Sequence, residues 1–152
     1  MKKPRLCIIV IVLIMICSIC AVGFVGCNNK SEKLPELNYI ESMIVMYISM
    51  HLDSFKDPAS VRISRAGWTD GGYYFAEISA KNSFGGYVSS VYLVNDKSGL
   101  YSLEDKSSDD DSTKFVKSLY RQMAETAFSE SDLNIYNMNV VLNQRKKTHG
   151  YA

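Results

Sequence analysis

Beyond residue 27 the chain contains no cysteine: Cys7, Cys17, Cys20 and Cys27 are all four of them. The downstream part must therefore fold without disulfides, and thiolate-held metal is excluded from it. Histidine is nearly as scarce, with His51 and His149 the only two. A transition-metal centre of ordinary make-up is not expected, and no cofactor is. No Gly-x-Ser-x-Gly elbow is present, nor a Ser-x-x-Lys nucleophile with its accessory motifs. Gly71-Gly72 and Gly85-Gly86 lack the spacing of a phosphate loop. Asp105 with Asp109-Asp110-Asp111 lacks the spacing, central glycine and terminal glutamate of a calcium loop, so no metal site is assigned. One-signed charge is also missing. The formal net charge of +1 becomes −2 without Lys2, Lys3 and Arg5, which gives no electrostatic case for nucleic acid.

What the chain does have in excess lies at its start. Met1-Lys2-Lys3-Pro4-Arg5 precedes an almost unbroken apolar run over residues 6–25, which closes on Phe24-Val25-Gly26-Cys27. A basic start, an apolar segment and a small residue before the cut make a secretory signal peptide. The closing four residues resemble the lipobox of bacterial lipoproteins. That resemblance implies a diacylglyceryl thioether on Cys27, which becomes the first residue after cleavage. Two acyl chains satisfy the requirement for stable anchoring that one chain does not. The competing reading is an uncleaved transmembrane helix, since the run is close to the ~20 residues needed to span a bilayer. Lys2, Lys3 and Arg5 would then stay cytoplasmic. Either way the remainder is expected on the extracytoplasmic face of the cell membrane.

Four segments follow: a lipoprotein signal peptide over 1–26, a polar tether over 27–33, a single α+β domain over 34–143, and a basic, disordered tail over 144–152. Pro35 suits a first helical turn, and a helix over 34–55 places Leu37, Ile40, Ile44, Tyr47, Ile48, His51 and Phe55 on one side. His51 thus reads as a packed histidine. Lys56-Asp57-Pro58 ends that helix. Short strands follow, with Thr69-Asp70-Gly71-Gly72 and Asn95-Asp96-Lys97-Ser98-Gly99 as turns. Tyr74, Ala76, Ile78 and Ala80 share one strand face, while Tyr73, Phe75, Glu77 and Ser79 share the other, outer one. Glu77 and Lys81 are neighbours on that face. The expected fold is a small antiparallel meander of three to four strands against an N-terminal helix, with one or two C-terminal helices. A helix over 113–128 takes its apolar side from Phe115, Val116, Leu119, Met123 and Phe128. Ser131-Asp132 would cap another with Leu133, Tyr136 and Val140 in phase. Tyr39, Met43, Met46 and Met50 form a second stripe on the first helix, either packed beneath the C-terminal helices or a docking surface.

Two stretches carry a further resemblance. Lys56-Asp57-Pro58-Ala59-Ser60 and Ser79-Ala80-Lys81-Asn82-Ser83-Phe84-Gly85-Gly86-Tyr87 resemble a pattern in small, uncharacterised bacterial envelope lipoproteins, which implies fold and location but no activity. Physically, Asn82 can turn the chain and Gly85-Gly86 permits close backbone approach. Lys81, Asn82, Phe84, Gly85, Gly86 and Tyr87 are therefore the candidate binding loop. The structural reading, a register-setting turn with Phe84 folded onto the core, is the preferred one of the two. No catalytic residue is assigned. The expected function is a non-catalytic binding or assembly module held to the membrane by lipid on Cys27, with an envelope protein as partner and oligomeric state open. The alternative is an extracytoplasmic, hydrolase-like envelope enzyme with a dispersed site.

Overall fold

The computed structural model describes residues 33–95 and 99–151. The leader, Cys27 and tether residues 28–32 lie outside them, as do Asp96, Lys97 and Ser98. The fold is α+β. Strands β1 (Arg62–Trp68), β2 (Tyr74–Lys81), β3 (Tyr87–Asn95) and β4 (Gly99–Ser102) make an antiparallel meander in the order β1-β2-β3-β4. Helix α1 (Tyr39–Met50) precedes the sheet; α2 (Asp111–Glu130) and α3 (Ile135–Thr148) follow it. Among the described residues no helix is long and apolar enough to cross a membrane.

Helix α1 is shorter than the 34–55 span that its periodicity suggests. Its start is fixed by a capping box, with Asn38 and Glu41 each accepting the other's backbone N–H at 2.9 Å. Pro35 therefore precedes the helix. The second Glu41 oxygen accepts the Asn134 N–H at 2.7 Å. One buried carboxylate thus closes the positive N-terminal ends of α1 and α3 together. At the far end α1 stops at Met50, and a 3-10 turn, Leu52–Ser54, carries the chain toward Pro58. His51 is half-buried and packs on Gly99, its ring filling the space that a Cβ there would need.

The sheet is covered on both faces. On one, Ile63, Ala76, Ile78 and Val94 meet Ile44, Val45 and Ile48 of α1 and Met138 and Leu142 of α3. On the other, Phe75 and Leu93 meet Ala124 and Ala127 of α2. The face expected to lie outward is therefore half core: Phe75 and Ser79 are buried. Glu77 pairs with Arg65 at 2.6 Å rather than with Lys81. A bulge between Ile63 and Arg65 makes this possible, because it shifts the alternation so that Ala66 faces the core and Arg65 the surface.

Helix α2 comes so close to β1 that a Cβ on Gly67 would stand 2.5 Å from the Ala127 carbonyl carbon. Only small side chains fit on the helix face that makes this approach, so Ala124 and Ala127 point inward. Phe115, Val116 and Leu119, expected as the apolar side, are turned to solvent at 63%, 45% and 44% exposure. The Tyr39/Met50 ends of the α1 stripe are also exposed, with Met43 and Met46 half-buried, so the stripe is not packed beneath the C-terminal helices as a unit.

Helix α3 is capped by Asn134, whose side chain accepts the Asn137 N–H at 3.0 Å; Ser131-Asp132 is not its cap. Its inward face is Met138, Leu142 and Lys146, while Tyr136 is exposed. The phase differs from the Leu133/Tyr136/Val140 expectation because α3 must offer polar side chains to the free edge of β1. Asn139 accepts the Ile63 N–H at 2.9 Å and donates to the Ile63 carbonyl at 2.8 Å. The Lys146 ammonium donates to the Ala59 and Val61 carbonyls at 2.9 and 2.8 Å. Burial pushes the pKa of Lys146 down, with nearby Asp57 acting the other way. Residues 144–148 are thus helical and anchored, not a disordered tail, and Tyr151 follows them with a hydrogen bond to Asp53.

Replacing Gly67 with Ala must push α2 off the sheet. We expect Gly67→Ala to cost about 2–3 kcal/mol in urea unfolding, the range of an overpacked core. A loss below about 0.5 kcal/mol, typical of an open surface position, would contradict the close approach.

Candidate functional site

The stretches Lys56–Ser60 and Ser79–Tyr87 come together in space. Asp57 accepts the Ser60 N–H at 3.3 Å and starts the 3-10 turn Pro58–Ser60. The Ser60 hydroxyl then donates to the Asp57 carbonyl at 2.8 Å and accepts the Lys81 N–H, also at 2.8 Å. The break after α1 is thereby fastened to the last residue of β2.

Beyond Lys81 the chain reverses through a loop organised by one side chain. The Asn82 carboxamide oxygen accepts the N–H groups of Phe84 at 2.9 Å and Gly86 at 3.1 Å. The Asn82 backbone adds bonds to Gly86 and Gly85 at 2.9 and 3.0 Å. Gly85 has φ +80, a conformation that disfavours any residue with a Cβ. Phe84 sits at the tip and is 96% exposed. The preferred expectation that Phe84 folds onto the core is therefore wrong, although Asn82 closes the turn whose register runs from Lys81↔Tyr87 onward.

Around the tip the two sheet faces differ. On the α1 side the sheet extends past the end of the helix and leaves a shallow groove of about 220 Å³. Phe55, Ala80, Val88 and Tyr92 give it apolar walls, and Lys56 and Lys81 border it. Phe55 and Tyr92 meet edge to face at 6.0 Å. Burial pushes the Tyr92 phenol pKa up, opposed by a hydrogen bond with Ser90. On the opposite face the Arg62 guanidinium lies 4.4 Å from the Tyr87 ring centre, and the Lys81 ammonium 5.8 Å from it. The Ser64, Ser79 and Ser89 hydroxyls run beside them as a ladder with 2.6 Å spacings. All six candidate loop residues are thus brought to one hairpin end. Sequence reading missed the groove walls Phe55, Val88 and Tyr92, and Arg62, because nothing local indicates that α1 stops early enough to uncover them.

The acidic loop resolves differently. Asp110 caps α2 by accepting the Thr113 N–H at 2.7 Å. Asp109 is bound at 2.6 Å by the buried Lys117 ammonium, which also holds the Glu104 carbonyl at 2.7 Å. Lys117 holds the Asp109 carboxyl below the usual carboxylate range, and the Thr113 N–H does the same for Asp110. The aspartates are therefore occupied in shaping the loop and capping the helix. His149 is exposed and stacks with Tyr151, remote in sequence from the hairpin.

Two substitutions separate the loop's frame from its display. Asn82→Ala, which removes two side-chain acceptor contacts, is expected to cost about 1 kcal/mol in chemical unfolding. Phe84→Ser is expected to change stability by no more than about 0.5 kcal/mol. Equal losses from both would mean that Phe84 packs on the fold.

Compared with known proteins, the chain matches no family model, no curated protein and no solved structure.

Proposed function

We propose that this protein is a membrane-tethered, non-catalytic binding module on the outer side of a bacterial cell membrane. Lipid on Cys27 holds it there, and the β2–β3 hairpin end binds an envelope protein. The observation that carries this reading is Phe84: a large apolar ring at 96% exposure on a loop whose backbone is fixed by Asn82. Ordering a loop costs conformational entropy, and a pre-ordered one spares that cost at the moment of binding. Apolar anchors surrounded by cationic and hydroxyl groups are the usual make-up of a contact patch, with an aromatic centre and a polar rim. The groove beside Phe84 offers room for an apolar side chain of the partner, and Lys56 favours an acidic neighbour next to it.

The lipid reading rests on Phe24-Val25-Gly26-Cys27 and the basic, apolar leader before it. A tether of six residues, 28–33, reaches at most about 20 Å when extended. Partners would then be sought among proteins at or near the same membrane.

The test combines mass and capture. Intact mass of the protein purified from membranes should correspond to residues 27–152 plus a diacylglyceryl group; an unmodified Met1 start contradicts the anchor. A photoreactive residue at position 84 should crosslink one recurrent envelope protein in intact cells. Phe84→Ala should lose at least about tenfold in affinity for it, the scale of an interface hot spot, with unchanged melting. Undiminished capture by Phe84→Ala would sink the hairpin assignment.

A further inference from the structure

At the opposite end of β2 from Phe84 the sheet carries a second, larger concavity. It is a cleft of about 520 Å³ between the β1–β2 turn and the C-terminal end of α2, and Trp68, Asp70, Tyr73, Met123, Glu130 and Ser131 line it. The turn is held by the Thr69 N–H to Tyr73 carbonyl bond at 3.0 Å and the Gly72 N–H to Thr69 carbonyl bond at 2.8 Å. The other wall is fixed to the turn by the Ser131 hydroxyl, which accepts the Trp68 N–H at 3.0 Å. Tyr73 packs against Tyr120 of α2, ring centres 5.7 Å apart. Both walls are thus set before any ligand arrives.

We propose that this cleft binds an organic cation, an alkylammonium group, with Trp68 and Tyr73 as its aromatic walls and Asp70 and Glu130 as its counter-charges. Four features converge on that chemistry. Trp68 and Tyr73 are 38% and 40% exposed, so aromatic surface faces the open space. Cations are drawn to such faces, and to tryptophan most of all. Neither the Asp70 nor the Glu130 carboxylate has a hydrogen-bonding or ionic partner among the described residues. No Lys, Arg, His, Asn or Gln lines the cleft to neutralise them. Finally, Glu130 ends α2, whose last turn carries no basic residue. The negative end of the helix dipole thus meets no cation of its own helix there and adds to the field of the two acids.

The same lining argues against two other ligands. An anion would meet two carboxylates and a negative helix end. A neutral sugar uses aromatic faces too, but its hydroxyls call for paired donors and acceptors, and this cleft lacks the amide and guanidinium donors that would supply them. A free amine and a lysine side chain of a peptide share the favoured chemistry. The proposal is independent of the hairpin and of the lipid anchor.

Trp68 is the chain's one tryptophan, so its fluorescence reports this cleft directly. The full-length protein in detergent is titrated with n-butylammonium, n-butanol, Nα-acetyl-lysine methylamide and glucose. A saturable change is expected for both cations, with Kd on the order of 1 mM, at least about tenfold tighter than for butanol. Tighter binding of the lysine derivative assigns the site to peptides, and tighter binding of butylammonium to free amines. The double variant Asp70→Asn/Glu130→Gln should weaken cation binding about tenfold, and added salt should weaken it further in the unsubstituted protein. Both positions are exposed, so melting should be unchanged. Equal binding of butanol, a saturable response to glucose alone, or no saturable response to either cation up to about 50 mM, far above the expected Kd, would overturn the proposal.

Discussion

The free edge of β1 is the constraint around which the fold is arranged. An edge strand presents backbone N–H and carbonyl groups that must find partners or be left open to another chain. Here side chains from the last part of the sequence supply them. Asn139 makes a two-way amide contact with Ile63 in the manner of a neighbouring strand. Lys146 holds the carbonyls of Ala59 and Val61, and the Ser131 hydroxyl takes the N–H of Trp68. Three side chains thus hold the edge at its entry, at Ile63 and at its last residue. Each bond is worth about 0.5–1.5 kcal/mol, more where the donor is charged, and leaving a buried partner unmet costs about 1–3 kcal/mol.

Closing that edge determines what else the helices do. Helix α3 must turn Asn139 and Lys146 toward β1, which leaves Met138 and Leu142 for the core and Tyr136 for solvent. Glu41 then couples the start of α3 to the start of α1 through a single buried carboxylate that accepts the Asn38 and Asn134 N–H groups. Helix α2 occupies the other face at the distance that Gly67 allows. With α1 and α3 on one face and α2 on the other, neither layer extends over the β2–β3 hairpin, and Phe84 remains in the open. Phe84 stands exposed at one end of the sheet, and Trp68 and Tyr73 are partly exposed at the other.

Much of this is legible in the residues. The alternation from Tyr74 to Ala80, the glycine-bearing turns and the drop from a 3.6-residue to a two-residue period specify the meander and its N-terminal helix. The start of α1 differs from the expectation built on proline because Asn38-Tyr39-Ile40-Glu41 spells a capping box, whereas Pro35 only permits a start. The bulge after Ile63, the approach at Gly67 and the phase of α3 are not local properties. They depend on which face receives a second layer, and Phe115 and Leu119 look like core residues to any periodicity argument. Lys146 is misleading for the opposite reason. A lysine among basic residues near a terminus reads as solvated, and the carbonyls of residues 59 and 61, with Asp57 nearby, make its burial tolerable. Of the β2–β3 hairpin end, the loop is readable in the residues and the groove is not. The Trp68 cleft was missed altogether because its walls come from segments about sixty residues apart.

The most direct test of edge closure is hydrogen exchange at the Ile63 amide. In the unsubstituted protein this N–H should exchange only through global opening, as slowly as the central-strand amides of β2. In Asn139→Ala it should exchange at least about tenfold faster than those amides, the consequence of losing one hydrogen bond of ordinary strength. Rapid exchange of the Ile63 amide in the unsubstituted protein, or equal protection with and without Asn139, would contradict the claim that α3 closes the sheet.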